Sequence, residues 1–477
     1  GAEPSLDGYI ETGAHDTLNN ALNGTVQAGE WRLGASYERL STDGGNIARS
    51  GTEDDRSDAT TTALNVSWDG RRDVSVRLSA RSVDAYSQYD TVDYTITGLP
   101  ADSDVALATT QLVAQLAVVA GSGDARVRHR IAARHFDTEN RNLSNGVEDV
   151  SALSQRRTLS YQADVALGRD TLSIAVEHEV TDFKQRGPVD FGDPNQDREM
   201  DVTSVVLDYQ GRLGSRLSWL ASARFDDNSV FDDALTGRVS LAWSVTEQTR
   251  LMASAGSGRK NPTFAELYGY YPGQFVNNPD LEPEASVGME VGLEQRLGDA
   301  LQLQFVLFRQ DLDNEINGFV FDPLTFLATA ENMSGKSKRS GAELSLRWDL
   351  GDAVMINANY TYLDASADEI REIRRPRHSG SLDVDYELLA GRGRVTLGAA
   401  YGGTRSDTFF PPWPNPPETV ALHSHWLVDL TARYRLSRSV DLFARVGNLL
   451  DTDYEQVYGY ATPGRAAYAG VQLAFGR

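Results

Sequence analysis

The chain has 477 residues, no Cys and a formal net charge of −23. The absence of Cys excludes a disulfide framework and Cys-based metal or thiol chemistry. The acidic balance argues against nucleic acid as a partner, because phosphate binding needs a basic surface. No stretch approaches the roughly 18 uninterrupted apolar residues of a transmembrane helix. A transmembrane β-barrel still fits this composition, because its alternating strands average out as polar.

Strands with a period of two are predicted along the chain, beginning with "GYIETGA" at 8–14. In the segment 425–436, Trp426 and Val428 share one face, and Asp429 and Arg433 lie on the other. Such alternation gives a β-strand one apolar and one charged face. Similar patterns occur in "RLSWLASARF" (216–225), "LQLQFVLF" (301–308), "VDLFARVG" (440–447) and "AAYAGVQLAF" (466–475).

Short and long connections alternate between the predicted strands. Ten short turns, most of them built on Gly with Asp, Arg or Ser, provide tight-turn geometry and join twenty strands. Long polar segments separate them, for example 41–60, 187–201 and 402–418. One strand before the first long segment and one after the last bring the number to 22. The turns read "QAGEW", "WDGRRD", "GSGDA", "LGRDT", "GRLGSR", "VTEQT", "RLGDA", "DLGDA", "LAGRG" and "LSRS".

These features predict an all-β fold, a 22-stranded antiparallel transmembrane β-barrel with short periplasmic turns and long extracellular loops. We expect it to form a single domain over residues 1–477. A soluble propeller or β-helix is the alternative, but the sequence has no fixed-period repeat of the kind that those folds require. Closure into a barrel would remove the edge strands and satisfy all backbone hydrogen bonds in lipid.

Several segments resemble a known family. "NNPDLEPEASVGMEVGLE" (277–294), which follows "GRKNPTFAELYGYY" (258–271), resembles the loop-and-strand motif of TonB-dependent outer-membrane receptors. The closing "NLLDTDYEQVYGYATPGR" (448–465) resembles the last loop of that family. Its tyrosines, "AELYGYY" and "RFDDNSVF" (224–231) are similar to those of the cobalamin (vitamin B12) receptors within the family. The similarity extends from about Gly8 to Phe475.

The resemblance implies a transporter in the outer membrane of a Gram-negative bacterium, surrounded by lipid and lipopolysaccharide, and not an enzyme. Its ligand would be cobalamin or, alternatively, a siderophore or another large molecule. Receptors of this family carry an N-terminal plug domain, whereas this sequence begins at about the first barrel strand, so we expect no plug in this chain. A TonB-type energy coupler is expected only where a plug is present. A separate lumen-filling protein, a scaffolding barrel and a passive pore remain alternatives.

Aromatic residues in the predicted extracellular loops are candidate ligand contacts. The prolines of "FFPPWPNPP" (409–417) would hold that loop's aromatic side chains in place at low entropy cost. That loop could equally close over the barrel mouth or contact a partner protein. An aromatic belt at the membrane interface is the alternative for the three tyrosines of 448–465. The candidates are Tyr268, Tyr270, Tyr271, Trp413, Tyr454, Tyr458 and Tyr460.

Two acidic segments, 84–104 and 190–201, are candidates for a cation site. Calcium takes six to eight oxygen ligands, which carboxylates on facing loops could supply. Cobalamin receptors order neighbouring extracellular loops with calcium, and the resemblance places the ligands in these two segments. Solvated aspartates that keep the loops soluble are the alternative, and no cofactor is required. The candidate ligands are Asp84, Asp90, Asp93, Asp193 and Asp197.

Overall fold

A computed structural model describes residues 4–70, 73–121, 125–190, 192–271, 274–322, 327–412 and 414–476. Within these residues the chain forms a succession of β-strands and one short helix, α1 (Phe264–Tyr268). The strands are β1 (Ser5–Gly13), β2 (Thr17–Ala28), β3 (Trp31–Thr42), β4 (Ser57–Asp69), β5 (Val74–Val92), β6 (Pro100–Ala120), β7 (Val127–Ser144), β8 (Val147–Leu167), β9 (Asp170–Arg186), β10 (Gln196–Leu213), β11 (Leu217–Asn228), β12 (Ala234–Ser244), β13 (Thr249–Lys260), β14 (Glu284–Leu297), β15 (Leu301–Asp313), β16 (Ile316–Asp322), β17 (Leu327–Asn332), β18 (Ser337–Leu350), β19 (Val354–Ala367), β20 (Ile370–Arg371), β21 (His378–Leu388), β22 (Gly393–Gly402), β23 (Arg405–Phe409), β24 (Glu418–Leu422), β25 (His425–Arg435), β26 (Val440–Gly447) and β27 (Ala466–Phe475).

The main sheet is a closed antiparallel barrel. Each barrel strand pairs with the next one along the chain, and β1 pairs with β27, from Leu6 opposite Phe475 to Gly13 opposite Tyr468. Of the 23 strands in this sheet, β20 is a two-residue extension beside β19, and the other 22 form the wall. The hairpins β16–β17 and β23–β24 lie apart from the wall, within loops. The predicted 22-stranded barrel is confirmed.

The outer face of the wall is apolar. Leu6 and Ile10 on β1 are about half exposed, as are Leu473 and Phe475 on β27, with which they share a face. Exposed large apolar side chains of this kind recur on strand after strand around the barrel. Water would penalise so continuous an apolar surface, whereas the hydrocarbon core of a membrane suits it.

Tryptophans mark the end of the barrel at which the short turns lie, which we call the turn end. Trp31 and Trp68 face each other across β3 and β4, with ring centroids 6.2 Å apart, next to the turns at 29–30 and 70–73. Three more tryptophans lie close to other short turns. Amphipathic rings at this level form the aromatic belt of a membrane interface. They are Trp219, Trp243 and Trp348.

The inner face of the wall is polar and charged. Arg445 on β26 donates from Nε and a terminal nitrogen to both carboxylate oxygens of buried Glu11 on β1, each at 2.9 Å. The same guanidinium lies 3.8 Å from the ring centre of Tyr468 on β27. Twenty-two strands about 4.8 Å apart and tilted by about 40° give a barrel roughly 40 Å across. Side chains alone do not fill a lumen of this width.

All ten predicted short turns connect strands at the turn end. The opposite end, which we call the loop end, carries the remaining connections, and two of them are themselves short, 14–16 and 145–146. No helix among the described residues is long and apolar enough to cross a membrane. The loop-end connections are 14–16, 43–56, 93–99, 145–146, 187–195, 229–233, 261–283, 314–336, 368–377, 403–424 and 448–465.

The prediction of an acidic loop over 84–104 is wrong. Most of this segment is strand, because β5 and β6 are 19 and 21 residues long and only 93–99 connects them. The strands β7 to β10 are also 17 to 21 residues long, against the 9 to 11 that cross a bilayer. The sheet therefore projects beyond the membrane, where both of its faces are polar and the apolar alternation disappears.

We predict that the Glu11–Arg445 pair stabilises barrel closure. Replacing Glu11 with Ala leaves the guanidinium without its buried partner, and we expect a loss of about 2 kcal/mol in the free energy of unfolding. The measurement is the temperature at which the folded band disappears on semi-native electrophoresis. Arg435→Ala is the control, because Arg435 is 61% exposed and its pair with Asp441 is long, at 3.8 Å. Equal midpoints for Glu11→Ala and the control would contradict the prediction.

Candidate ligand-binding site in the long loops

The loop 261–283 is folded by its own sequence at its start. Thr263 caps α1, with its hydroxyl accepting from the Glu266 amide, while the Glu266 carboxylate accepts from the Thr263 amide at 2.7 Å. This reciprocal pair is a capping box, which satisfies amides that a helix start leaves free. Leu267 is buried with Leu281 and with Ala330 of β17. The helix is thereby fixed against the β16–β17 hairpin.

A buried glutamine fixes the residues that follow α1. Gln185, near the end of β9, is fully buried; its Nε2 donates to the Tyr270 carbonyl at 2.7 Å, and its Oε1 accepts from the Tyr270 amide at 3.3 Å. Gln196 on β10 donates to Gln185 and to the carbonyl of Tyr268. The tips of β9 and β10 thus position Tyr268, Tyr270 and Tyr271, which we call the first tyrosine group.

The rings of this group have unlike surroundings. Arg198 lies over the ring of Tyr268, with its guanidinium carbon 4.6 Å from the ring centre, a cation–π geometry. Tyr271 packs edge-on against Phe275 at 6.3 Å, and burial raises the pKa of its hydroxyl. Tyr271 is therefore bound into its own loop, whereas Tyr268 combines an aromatic face with a nearby positive charge.

The loop 448–465 is closed at its neck by an asparagine. Asn448 is buried and has a φ of 46°, a left-handed conformation that Asn tolerates better than most residues. Its side-chain amide donates to the carbonyls of Thr452 (2.9 Å) and Pro463 (3.3 Å), and its oxygen accepts from the Thr452 amide. These bonds join the two ends of the loop, so that the tyrosines between them are presented as one unit.

A buried aspartate holds this loop to its neighbours. Asp407 on β23 is fully buried and accepts from Arg374 Nε at 2.7 Å and from the Tyr458 amide at 2.9 Å. Arg405, two residues earlier and also buried, donates to the Glu455 carbonyl at 2.6 Å. The β23–β24 hairpin therefore fixes Tyr454, Tyr458 and Tyr460, which we call the second tyrosine group.

The rings of the second group pack against other loops. Tyr454 stacks on His425 with centroids 4.5 Å apart, and Tyr458 meets Phe409 edge-on at 5.2 Å. Tyr460 forms an isolated bridge with Ala48 of the loop 43–56. Burial raises the pKa of the Tyr460 hydroxyl, with a smaller contribution from nearby Tyr94. These contacts differ from those of a lipid-facing belt. Trp413 lies outside the described residues.

A group of carboxylates lies beside the second tyrosine group. One oxygen from each of Glu53, Asp90 and Asp102 lies within 4.8 Å of the other two. Asp90 is almost fully buried and accepts from the amides of Ala48 (3.0 Å) and Ser103 (3.1 Å). The structure thus joins the predicted segment 84–104 to the loop 43–56. Its acidic run "EDD" (53–55) was a signal that the sequence analysis did not use.

Burial raises the pKa of Asp55 and of Asp90, and their mutual repulsion adds to the rise for Asp90. Hydrogen bonds from the backbone oppose this effect but do not cancel it. Ionising these carboxyls therefore costs free energy in the folded loops, and a proton or a cation would relieve that cost.

The other candidate calcium ligands lie elsewhere. Asp84 is exposed and shares the outward face of β5 with Leu78, while Asp93 accepts from Thr95 within its own turn. Asp193 accepts from the neighbouring Asn195 amide, and Asp197 is paired with Arg186. Among the residues that the structure describes, the five predicted aspartates therefore do not form a single group of potential ligands.

The strand order separates the two tyrosine groups. The first group is contacted from β9, β10 and the β13–β18 connections, and the second from β3–β6 and β19–β27. Because β27 pairs with β1, the elements around the second group form one continuous arc of the wall. The groups therefore lie on opposite arcs of the loop end, around the opening of the barrel.

The loops around this opening are acidic. Asp and Glu outnumber Lys and Arg in every loop-end connection except 145–146 and 368–377. Several arginines in the loops and at the loop end of β18 are neutralised by ion pairs, so the opening offers aromatic rings and carboxylates more than free positive charge. These pairs are Arg49–Glu455, Arg339–Glu315, Arg339–Glu372 and Arg374–Asp407.

Solved structures with the same fold include siderophore receptors and a copper transporter. The siderophore receptor PirA from Acinetobacter baumannii superposes with a TM-score of 0.81 at 16% identity, over 99% of this chain and 80% of PirA. The ferric enterobactin receptor PfeA from Pseudomonas aeruginosa, solved as a mutant, gives 0.82 at 15% identity, over 100% and 81%. The copper transporter OprC gives 0.80 at 16% identity, over 100% and 81%. At these identities the likeness is one of fold.

The family is given by a sequence match. Residues 6–449 match the family model described as TonB dependent receptor-like, beta-barrel. This match covers most of the chain and agrees with the closed 22-stranded wall and its apolar outer face. The chain therefore belongs to the TonB-dependent receptor family, as its β-barrel, in the outer membrane of Gram-negative bacteria.

Proposed function

We propose that this barrel is the receptor for cobalamin, which it captures between the two tyrosine groups at its extracellular opening. The observation that carries the proposal is the chemistry of that opening, where tyrosine rings on opposite arcs are combined with an excess of carboxylates. Cobalamin is a large, largely uncharged ligand with a broad flat ring. Aromatic side chains contribute contact area to such a ring at low entropy cost.

Charge is the argument that favours cobalamin over a ferric siderophore. A tris-catecholate iron complex is strongly anionic, and carboxylates around the opening would repel it unless free arginines or lysines compensated. Arg49 and Arg374 in the loops, and Arg339 at the loop end of β18, are already paired with carboxylates. A ferric siderophore is the second candidate, favoured by the names of the solved structures that share the fold.

Family membership implies ligand transport coupled to a TonB-type protein, and not enzymatic chemistry. In the proposed order of steps, the loops capture the ligand, and the ligand then passes through the polar lumen. The barrel supplies capture and the path, and a plug domain would supply the gate and the coupling. A barrel that acts instead as a passive pore would conduct steadily in a planar bilayer, and a scaffolding barrel would retain a protein in its lumen.

We expect the purified barrel to bind cyanocobalamin and not a ferric tris-catecholate. Replacing Tyr268 or Tyr454 with Ala should weaken binding about fivefold each, because one aromatic contact contributes about 1 kcal/mol. Equilibrium titration monitored by intrinsic fluorescence measures both affinities. Tyr386→Ala is the control, because this ring is exposed at the turn end of β21. Binding of the ferric complex alone would move the assignment to siderophores, and binding of neither ligand would contradict the proposal.

Calcium in the loops stays a prediction, and the contacts indicate where to test it. Because the chain has no Cys, a single spin label at Ser50→Cys reports the mobility of the loop 43–56. If calcium binds between Glu53, Asp90 and Asp102, millimolar Ca²⁺ should immobilise the label, and Asp90→Asn should weaken that response about tenfold. Asp193→Asn is the matched control. An unchanged spectrum with Ca²⁺ would identify these residues as solvated or merely structural aspartates.

The same label tests a pH dependence without metal. The raised pKa of Asp55 and of Asp90 means that their ionised forms destabilise the folded loops. The loops should therefore become more ordered as pH falls through the raised pKa values, and more mobile as pH rises. With a chelator present, the Ser50→Cys label should therefore be more mobile at neutral pH than at about pH 4, close to the ordinary pKa of an aspartate. Asp90→Asn should reduce this difference, and a label that is more mobile at about pH 4 would contradict the prediction.

A further inference from the structure

The two tyrosine groups are held by the same kind of contact. In each, one fully buried polar side chain from a neighbouring strand bonds to the main chain of a tyrosine. Asp407 accepts from the Tyr458 amide, and Gln185 bonds to both the amide and the carbonyl of Tyr270. Neither side chain is exposed, so neither can contact a ligand. We infer that Asp407 and Gln185 are positioning residues that set the two tyrosine groups for ligand capture.

The surroundings of Asp407 show why an aspartate is needed there. One carboxylate oxygen accepts from Arg374 Nε (2.7 Å) and from the Thr408 amide (2.8 Å), and the other accepts from the Tyr458 amide (2.9 Å). A buried carboxylate is tolerated only when it is paired and hydrogen-bonded in this way. The single side chain therefore couples the loops 368–377, 403–424 and 448–465. Tyr458 is fixed through its backbone, which leaves its ring for contacts.

Gln185 holds the first tyrosine group in the same way, but with a neutral side chain. An amide side chain offers both a donor and an acceptor, so it can pair with a peptide unit as a strand residue would. Gln185 does so with Tyr270, while Gln196 donates to its oxygen at 3.0 Å. A hydrocarbon side chain at 185 would remove both hydrogen bonds that join this side chain to the main chain of Tyr270. Main-chain groups that lose hydrogen-bond partners reorganise to regain them.

The inference rests on the proposed function only for its effect on ligand affinity. Its structural part is tested without ligand, by hydrogen exchange of the full chain in detergent. In Asp407→Ala, the amides of 454–461 should exchange at least tenfold faster, while those of 268–271 stay unchanged. Gln185→Ala should give the reverse pattern, so that each variant is the control for the other. Unchanged exchange at the matched loop, or faster exchange at both loops in either variant, would overturn the inference.

A second measurement separates positioning from a general loss of stability. With cyanocobalamin as the probe, each variant should bind at least tenfold more weakly than the wild type. The melting temperature of the barrel should equal that of the wild type within experimental error. Asp453→Asn is a matched surface variant on the same loop, because Asp453 is 85% exposed, and it should bind normally. If the wild type binds cyanocobalamin and a variant shows faster exchange but unchanged affinity, the positioning role is overturned. If the wild type does not bind cyanocobalamin, the proposed ligand fails, and the exchange pattern alone decides whether these side chains hold the loops.

The Arg374 pair adds a test by rescue. Arg374→Gln leaves the buried Asp407 carboxylate without its charged partner, so exchange of 454–461 should again be faster. Combining Arg374→Gln with Asp407→Asn removes both charges and keeps an oxygen that accepts from Tyr458. The double variant should therefore recover most of the protection that the single Arg374→Gln variant loses, as expected for residues in one network. Additive losses in the double variant would contradict the assigned role of the carboxylate.

Discussion

The pairing of β1 with β27 is the constraint on which the rest of the molecule depends. A strand edge in lipid would leave a row of amides and carbonyls without water or protein partners, at a cost of several kcal/mol for each group. Residues Leu6 to Gly13 remove that cost by pairing in continuous register with Phe475 to Tyr468. Arg445 reinforces the seam from inside, because it reaches across β27 to Glu11 while lying over Tyr468.

Much of the wall could be predicted because its signals are local. In β25, alternation from Trp426 onward fixes which side chains face lipid, and a short turn such as "LSRS" (436–439) fixes where the chain reverses. Both signals are contained within about a dozen residues. The projecting parts of β5 to β10 were missed for the converse reason. Above the membrane neither face needs to be apolar, so Asp84 and Asp90 look like loop residues although they belong to β5.

The site could be predicted as a set of residue types but not as a set of contacts. Tyrosines and aspartates stand out in the loop sequences, and their positions at the loop end are those expected. Their partners come from distant parts of the chain: Gln185 bonds to a residue 85 positions away, and Arg49 pairs with Glu455 across 406 positions. Only the closed barrel brings such segments together. Nothing in the local sequence around Gln185 or Asp407 distinguishes them from ordinary loop polar residues.

Assembly of the loops at the opening therefore depends on closure of the wall. The second tyrosine group depends on contacts that cross the seam. Ala48 forms a β-bridge with Tyr460, and Arg49 forms an ion pair with Glu455 at 2.6 Å. Before β27 meets β1, the loops 43–56 and 448–465 are at opposite ends of an open sheet and cannot hold each other. Buried polar contacts then keep the assembled loops in one arrangement, so a ligand that binds them loses little free energy to ordering them. A barrel that fails to close thus lacks both its membrane-compatible edge and the contacts that hold the second tyrosine group to the loop 43–56.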